Sequence, residues 1–213
     1  MCSSDLALLW TGMDRVFAMS QAMGMRFLEQ APPGPSMALG TLEVHPLDLV
    51  TSYATLANGG RYLGHAAILS VKDVNGTDVI PPYEVPDGTQ TVSAAAASIV
   101  TDILAGNTDP AENPIWGQMR IMAGGTRRPA TLKTGTNNDA KDLNAYGYIA
   151  PPTRDGRANG EYALALGVWA ANSDNTDVIS PSAPVVSLER ALSKLGLASR
   201  SQAHALILDG RVR

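Results

Sequence analysis

Between Ala130 and Asp142 the chain reads ATLKTGTNNDAKD, with Lys133, Thr134, Gly135 and Thr136 in a row on a stretch of strand character. Lys133 offers a fixed ammonium, Thr134 and Thr136 offer hydroxyls, and Gly135 lets another backbone lie close with no Cβ in the way. An ammonium and hydroxyls can hold a carboxylate and stabilise developing negative charge, and a strand-edge N–H can serve as an oxyanion donor. Those are the needs of acyl transfer. The same four residues also suit an ordinary edge strand.

The elements around this row follow from periodicity. DRVFAMSQAMGMRFLEQ places Val16, Met19, Met23 and Phe27 on one face at helical spacing, as core positions, and APPGPS stops it. HPLDLVTSYATLANGG is the clearest helix, with Pro46 in its first turn, Leu47, Val50, Ala54 and Ala57 on one side and Gly59 free to cap it. RYLGHAAILSVKDVNGTDVI reads as two short strands about the turn Asn75-Gly76. VSAAAASIVTDILAGN is a third helix, N-capped by Ser93 and ending near Gly106. A Pro- and Gly-rich loop then leads to three strands, ATLKTGT, LNAYGYIA and YALALGVWA. Helices followed by adjacent strands predict an α+β fold with an antiparallel sheet.

With 213 residues and 45% apolar content the chain can bury a core, and aromatics at 5% beside 20 glycines and 14 prolines suit a turn-rich mixed fold. The net charge of −4 argues against a nucleic-acid binder taken whole. It divides unevenly, however: Ser187 to Arg213 carries +3 and the remainder −7. The single cysteine, Cys2, excludes a disulfide framework and leaves the compartment open. His45, His65 and His204 stand far apart, so no metal site and no cofactor are expected. No apolar run reaches membrane-spanning length and no signal peptide is evident, so a protein of this kind working outside the membrane would take its targeting segment from elsewhere.

GTLEVHPLDLVTSYATLANGGRYL, followed at a distance by LKTGTNNDAKD, AYGYIAP and GVWAANSDN, resembles the transpeptidase domain of class A (bifunctional) penicillin-binding proteins, from about Asp14 to Pro184. The resemblance implies a serine β-lactamase/transpeptidase-like fold, an antiparallel sheet packed with helices. In such acyltransferases a Ser-x-x-Lys motif, a Ser-x-Asn motif and Lys-Thr-Gly follow one another. It implies that Lys133, Thr134, Gly135 and Thr136 are the third motif. Thr134 and Thr136 would bind substrate, Thr136 holding the carboxylate of a peptidoglycan stem peptide or a β-lactam through its hydroxyl. The Thr136 N–H would supply half of the oxyanion hole.

No serine here has a lysine three residues later, so the nucleophile and its base are absent from this chain. Ser173-Asp174-Asn175 has the spacing of the second motif but follows Lys-Thr-Gly, and is expected to be a strand end only. The true second motif would fall at or just before Met1. Codons for MCSSDL can spell a sequence resembling the end of a common sequencing adapter, so residues 1–6 are expected to be adapter-derived within a truncated start of 1–13; an ordinary polar N-terminus is the alternative.

LERALSKLGLASRSQAHALILDGRVR resembles the opening of the S4 RNA-binding domain of ribosomal-RNA pseudouridine synthases. That resemblance implies phosphate contacts from Lys194, Arg200, Arg211 and Arg213. An amphipathic C-terminal helix pair with a solvated basic face reads the same residues differently. The expected organisation is a partial transpeptidase domain over 14–186 and a partial S4-like appendage over 187–213, joined in a chimera near Val186. The parent family sits in the cytoplasmic membrane with this domain on the outer face. The expectation is a non-acylating fragment of a D,D-transpeptidase, against an RNA-binding protein or a non-catalytic peptidoglycan-binding protein.

Overall fold

The computed structural model describes residues 3–28, 34–123, 125–137, 140–149, 164–174 and 176–178. Helices α1 (Ser3–Thr11), α2 (Met13–Ala22), α3 (Pro46–Ala57) and α4 (Ala94–Gly106) are joined by a short 3-10 turn at Pro35–Leu39 and by small strands. Strands β1 (Arg61–Tyr62) and β4 (Thr89–Gln90) pair, as do β2 (Val71–Lys72) and β3 (Asp78–Ile80). A further 3-10 turn, Trp116–Met119, precedes the hairpin β5 (Ile121–Ala123) and β6 (Thr126–Arg128). Strands β7 (Lys133–Thr136), β8 (Asp142–Ile149) and β9 (Leu164–Ala171) form one antiparallel sheet in that order. The expected α+β class with an antiparallel sheet is what the chain adopts. Among the described residues no helix is long and apolar enough to cross a membrane.

Local chemistry explains most of these elements. Ser93 caps α4 by accepting the Ala96 N–H at 3.2 Å, and Pro46 opens α3, where its missing N–H costs nothing. At the β2–β3 turn, Asp73 Oδ1 accepts the N–H groups of Asn75 and Thr77, both at 2.8 Å.

Helix α2 is shorter than its periodicity predicts. The chain leaves it at Gly24, whose φ of +99° only glycine adopts without strain, so Phe27 lies outside the helix and bridges to Val44. Phe27 still reaches the helix by stacking on Phe17 at 4.8 Å, but no α2 residue is buried and Met19 is half exposed, contrary to the expected methionine core.

The buried side of α3 is also not the apolar one expected from Leu47, Val50, Ala54 and Ala57. Asp48, Thr51, Ser52 and Thr55 are buried instead, and Leu47 is exposed. Each hydroxyl donates back to the carbonyl four residues earlier, Thr51 to Leu47, Ser52 to Asp48 and Thr55 to Thr51, so these polar groups are satisfied within the helix. The side of α3 that faces the sheet carries Val50, which a Cβ on Gly167 of β9 would strike, and Tyr53, whose ring packs 5.7 Å from Tyr146 and 6.3 Å from Tyr148. Hairpin β5–β6 falls in a stretch that reads as loop, and Arg61–Tyr62 pairs with β4 rather than with the Asn75 hairpin. Ser3 to Leu6 lie in helix α1.

Candidate functional site

The side chains of β7 divide between two faces. Lys133 stands opposite Tyr146 and Gly135 opposite Asn144, whereas Thr134 and Thr136 stand opposite Ala145 and Leu143. Lys133 and Gly135 therefore share the face on which Tyr146 meets α3. The two threonines share the face carrying Leu143 and Ala145. A Cβ on Gly135 would lie 2.6 Å from the side-chain oxygen of Asn144, so a larger residue there would make that asparagine swing aside, a constraint the sequence alone does not disclose.

The backbone of the segment alternates in direction. Thr131 N–H donates to Tyr148 O at 2.9 Å and Asn137 N–H to Asp142 O at 3.1 Å, both toward β8, whereas Leu132 N–H donates to Leu104 O of α4 at 3.2 Å. Alternate residues of an antiparallel strand point to opposite sides, so the Thr134 and Thr136 N–H groups, like that of Leu132, face away from β8. No other strand pairs with that edge of β7 among the described residues. Thr136 is exposed and Thr134 half-buried. An open edge with two outward N–H groups is what an oxyanion or an extended peptide requires.

At the head of the edge, the exposed Lys133 donates from Nζ to the Thr134 carbonyl at 2.7 Å. Beside it, Lys133, Thr134, Leu132, Asn107, Asn113 and Trp116 line a cavity of about 160 Å³. Asn107, Asn113 and Trp116 are absent from the sequence-derived candidates, because Asn107 reads only as the end of a helix and the other two sit in a Pro-, Asn- and Asp-rich stretch that reads only as loop. The available signal was turn chemistry: Asp109 Oδ1 accepts the Ala111 N–H at 2.9 Å and Asn113 Oδ1 accepts that of Trp116 at 3.0 Å, ordering the loop.

At the strand's other end, Asn137 Oδ1 accepts the Asp142 N–H at 2.8 Å, closing the connection to β8. Ser173 lies beyond β9, on the far side of β8 from β7, and Asp174 Oδ1 accepts from both the N–H and the hydroxyl of Thr176. These bonds hold the Asp174 carboxyl below the usual carboxylate range. This is a turn, and the structure does not bring Ser173 to the lysine; Asn175 lies outside the described residues. So do Lys194, Arg200, Arg211 and Arg213. Among the described residues no three His, Cys, Asp or Glu side chains are grouped as metal ligands.

Comparison with known proteins places this geometry in context. No family model matches the chain. It is 32% identical over 174 residues to Penicillin-binding protein 2D of Bacillus subtilis, covering 81% of this chain and 22% of that protein. It is 30% identical over 150 residues to Penicillin-binding protein 1A of Mycolicibacterium smegmatis, covering 67% of this chain and 16% of that one. The chain thus spans about a fifth of the length of these relatives. Among solved structures, Penicillin-Binding Protein 1A from Haemophilus influenzae superposes with a TM-score of 0.63 at 18% identity, over 84% of this chain and 29% of that one. An imipenem acyl-enzyme of penicillin-binding protein A from Mycobacterium tuberculosis gives 0.57 at 19%, over 88% and 43%. PonA1 from the same organism, in complex with penicillin V, gives 0.54 at 20%, over 75% and 41%. The structures share the fold with this chain, and the comparisons lend no support to the RNA-binding alternative for residues 187–213.

Proposed function

We infer that this chain is a segment of the transpeptidase domain of a class A penicillin-binding protein, and that β7 is the strand along which the parent enzyme lays its substrate. The observation that carries the reading is the Lys133–Thr136 row on an open sheet edge, within a chain similar to penicillin-binding proteins over most of its length.

An intact enzyme of this kind would acylate a serine with the D-Ala-D-Ala end of a peptidoglycan stem, release D-alanine, and pass the acyl group to an amine on a neighbouring stem. In that reaction the Lys133 ammonium draws negative charge to the edge. The Thr134 and Thr136 hydroxyls bind the carboxylate, and the Thr136 N–H stabilises the oxyanion. The serine and its base are supplied by sequence other than these residues, so this chain binds and does not turn over. The parent would be held at the cytoplasmic membrane with the domain on its outer face. Residues 14–186 are the transpeptidase portion; 187–213, read as S4-like, rest on sequence resemblance alone.

The test uses the whole chain and penicillin V. Covalent label from a fluorescent penicillin should not survive denaturation, whereas titration with penicillin V should move the Thr134 and Thr136 amide resonances, with binding in the millimolar range expected of a partial site, about −4 kcal/mol. Resonances of β7 that stay in place at saturating ligand, or a covalent adduct, would overturn this reading.

A further inference from the structure

Two of the three residues ahead of Lys133, Ala130 and Leu132, are held by the end of α4 and the two residues after it. Thr108 Oγ1 donates to Ala130 O at 2.6 Å, Leu104 O accepts the Leu132 N–H at 3.2 Å, and Asn107 Nδ2 donates to Leu132 O at 2.7 Å. The last of these bonds falls on the outward side of the strand, the side that Thr134 and Thr136 leave open. Asn107 thus closes the edge at Leu132, and the first N–H left open along it is that of Thr134, whose carbonyl accepts from the Lys133 ammonium.

The Asn107 amide is held at both ends. Its oxygen accepts from Asn113 Nδ2 at 3.3 Å, so its nitrogen is the end turned to Leu132. Asn113 is itself anchored: its side-chain oxygen accepts the Ile115 and Trp116 N–H groups at 3.2 and 3.0 Å, and its carbonyl accepts the Gly117 N–H at 2.8 Å. Gly117 is buried against the Asp109–Pro110 backbone, so that a side chain at this position would not fit. Both asparagines line the cavity that Lys133 and Thr134 share.

We propose that Asn107 is a positioning residue for the β7 edge, acting through the Leu132 carbonyl, and that Asn113 sets the orientation in which it acts. The pair fixes where the Lys133 ammonium and the Thr134 and Thr136 N–H groups stand, and it sets the register of anything that pairs with the edge. A ligand pairing one step further would have to displace Asn107. The proposal rests on β7 being the substrate edge.

Two isosteric variants of the full chain separate this from ordinary loop packing. In Asn107→Asp the donor to Leu132 is lost at pH 7, while acidification through the carboxyl range near 4 restores an O–H that can donate in its place. In Asn113→Asp the acceptor for Ile115 and Trp116 is kept, while the donor to Asn107 is replaced by a carboxylate oxygen that repels the Asn107 amide oxygen. The expected result is that the Thr134 and Thr136 amide resonances of Asn107→Asp are displaced at neutral pH and return toward wild-type positions on acidification. The wild-type chain should show no such transition, Asn113→Asp should displace the same resonances less, and the double variant should add nothing to Asn107→Asp. Wild-type resonances in Asn107→Asp at pH 7, displacement without return, or additive effects in the double variant would each overturn the proposal. Titrating the wild-type chain with penicillin V is the separate arm: if it leaves β7 unmoved, the substrate-edge reading fails, and the amide positions in the variants still report on Asn107.

Discussion

Arg26 grips Asp48 with a two-pronged ion pair, Nε to Oδ2 and Nη2 to Oδ1 at 2.9 Å each, while the Arg26 N–H adds a third contact at 3.3 Å. The arginine is largely exposed and the carboxylate is covered, so the loop after α2 is fastened to the first turn of α3 by a charge the helix itself conceals. The Ser52 hydroxyl, one turn on, shares its proton between Asp48 O at 3.2 Å and Met23 O at 3.1 Å and so reaches the same seam.

The pair predicts acid lability. Hydrogen bonds from the Arg26 guanidinium hold the Asp48 carboxyl below its ordinary value, outweighing burial, which works the other way. A carboxyl with a depressed folded value contributes stability above its unfolded pKa, near 4, and loses that contribution as pH falls through the folded value. Urea midpoints of the wild-type chain should decline from about pH 5 downward, and those of Asp48→Asn should start lower and decline less. Parallel curves for the two proteins would remove Asp48 as the cause.

Gly60 and Gly76 have the same φ of +84° and different surroundings. A Cβ on Gly60 would sit 2.1 Å from the Val92 carbonyl oxygen, whereas one on Gly76 meets nothing within 4 Å. Gly76→Ala should therefore cost only the left-handed backbone, about 1 kcal/mol. Gly60→Ala should cost about 3 kcal/mol or more, because the junction of α3 with β1 and β4 must open as well. Thermal unfolding of the two variants side by side is the measurement, and equal losses would show that the steric overlap relaxes freely.

Asn137→Ala should loosen the end of β7 selectively. Asn137 Nδ2 donates to Asp142 Oδ2, Asn137 Oδ1 accepts the Asp142 N–H, and Asp142 Oδ1 accepts the Trp169 indole N–H at 3.2 Å. Losing the Asn137 side chain should cost about 1 kcal/mol and shift Trp169 fluorescence, since the Asp142 carboxylate would be freed to turn. An unchanged emission spectrum would show that Asp142 is held by other means.

Much of this was legible in the sequence, for reasons that differ from element to element. Ser93, Pro46 and Asn75-Gly76 act through bonds to their immediate neighbours, so α4, α3 and the β2–β3 turn are written locally. The Lys133–Thr136 row was legible as chemistry because its residue types are unusual together. What stayed hidden depends on distant partners. The polar face of α3 is buried because the hydroxyls of Thr51, Ser52 and Thr55 bond within the helix, which hydropathy counts as exposed. Phe27 leaves α2 because Gly24 must pass under Tyr62, where a Cβ would lie 2.6 Å from the ring. Asn107 gains its role only once α4 and β7 lie side by side, 25 residues apart in sequence.

The contact between Thr101 and Tyr148 predicts an unequal pair of losses. Tyr148 is buried at 3% exposure, and its hydroxyl lies 2.7 Å from Thr101 Oγ1, which also donates to Ala97 O at 2.7 Å. With the threonine proton given to Ala97, the tyrosine must be the donor between them. Tyr148→Phe removes that donor and leaves Thr101 still bonded, so it should cost about 1 kcal/mol. Thr101→Val strands a buried phenolic O–H without its acceptor and should cost more, up to about 3 kcal/mol, while the double variant should recover part of that loss. Burial raises the Tyr148 pKa. A phenol raised in the folded state contributes stability below its unfolded pKa, near 10, and loses it as pH rises through the folded value. The wild-type chain should therefore weaken above about pH 10, and Tyr148→Phe should weaken less steeply there. Urea unfolding of the four proteins at neutral and alkaline pH tests both arms, and a Thr101→Val loss no larger than that of Tyr148→Phe would reverse the donor assignment.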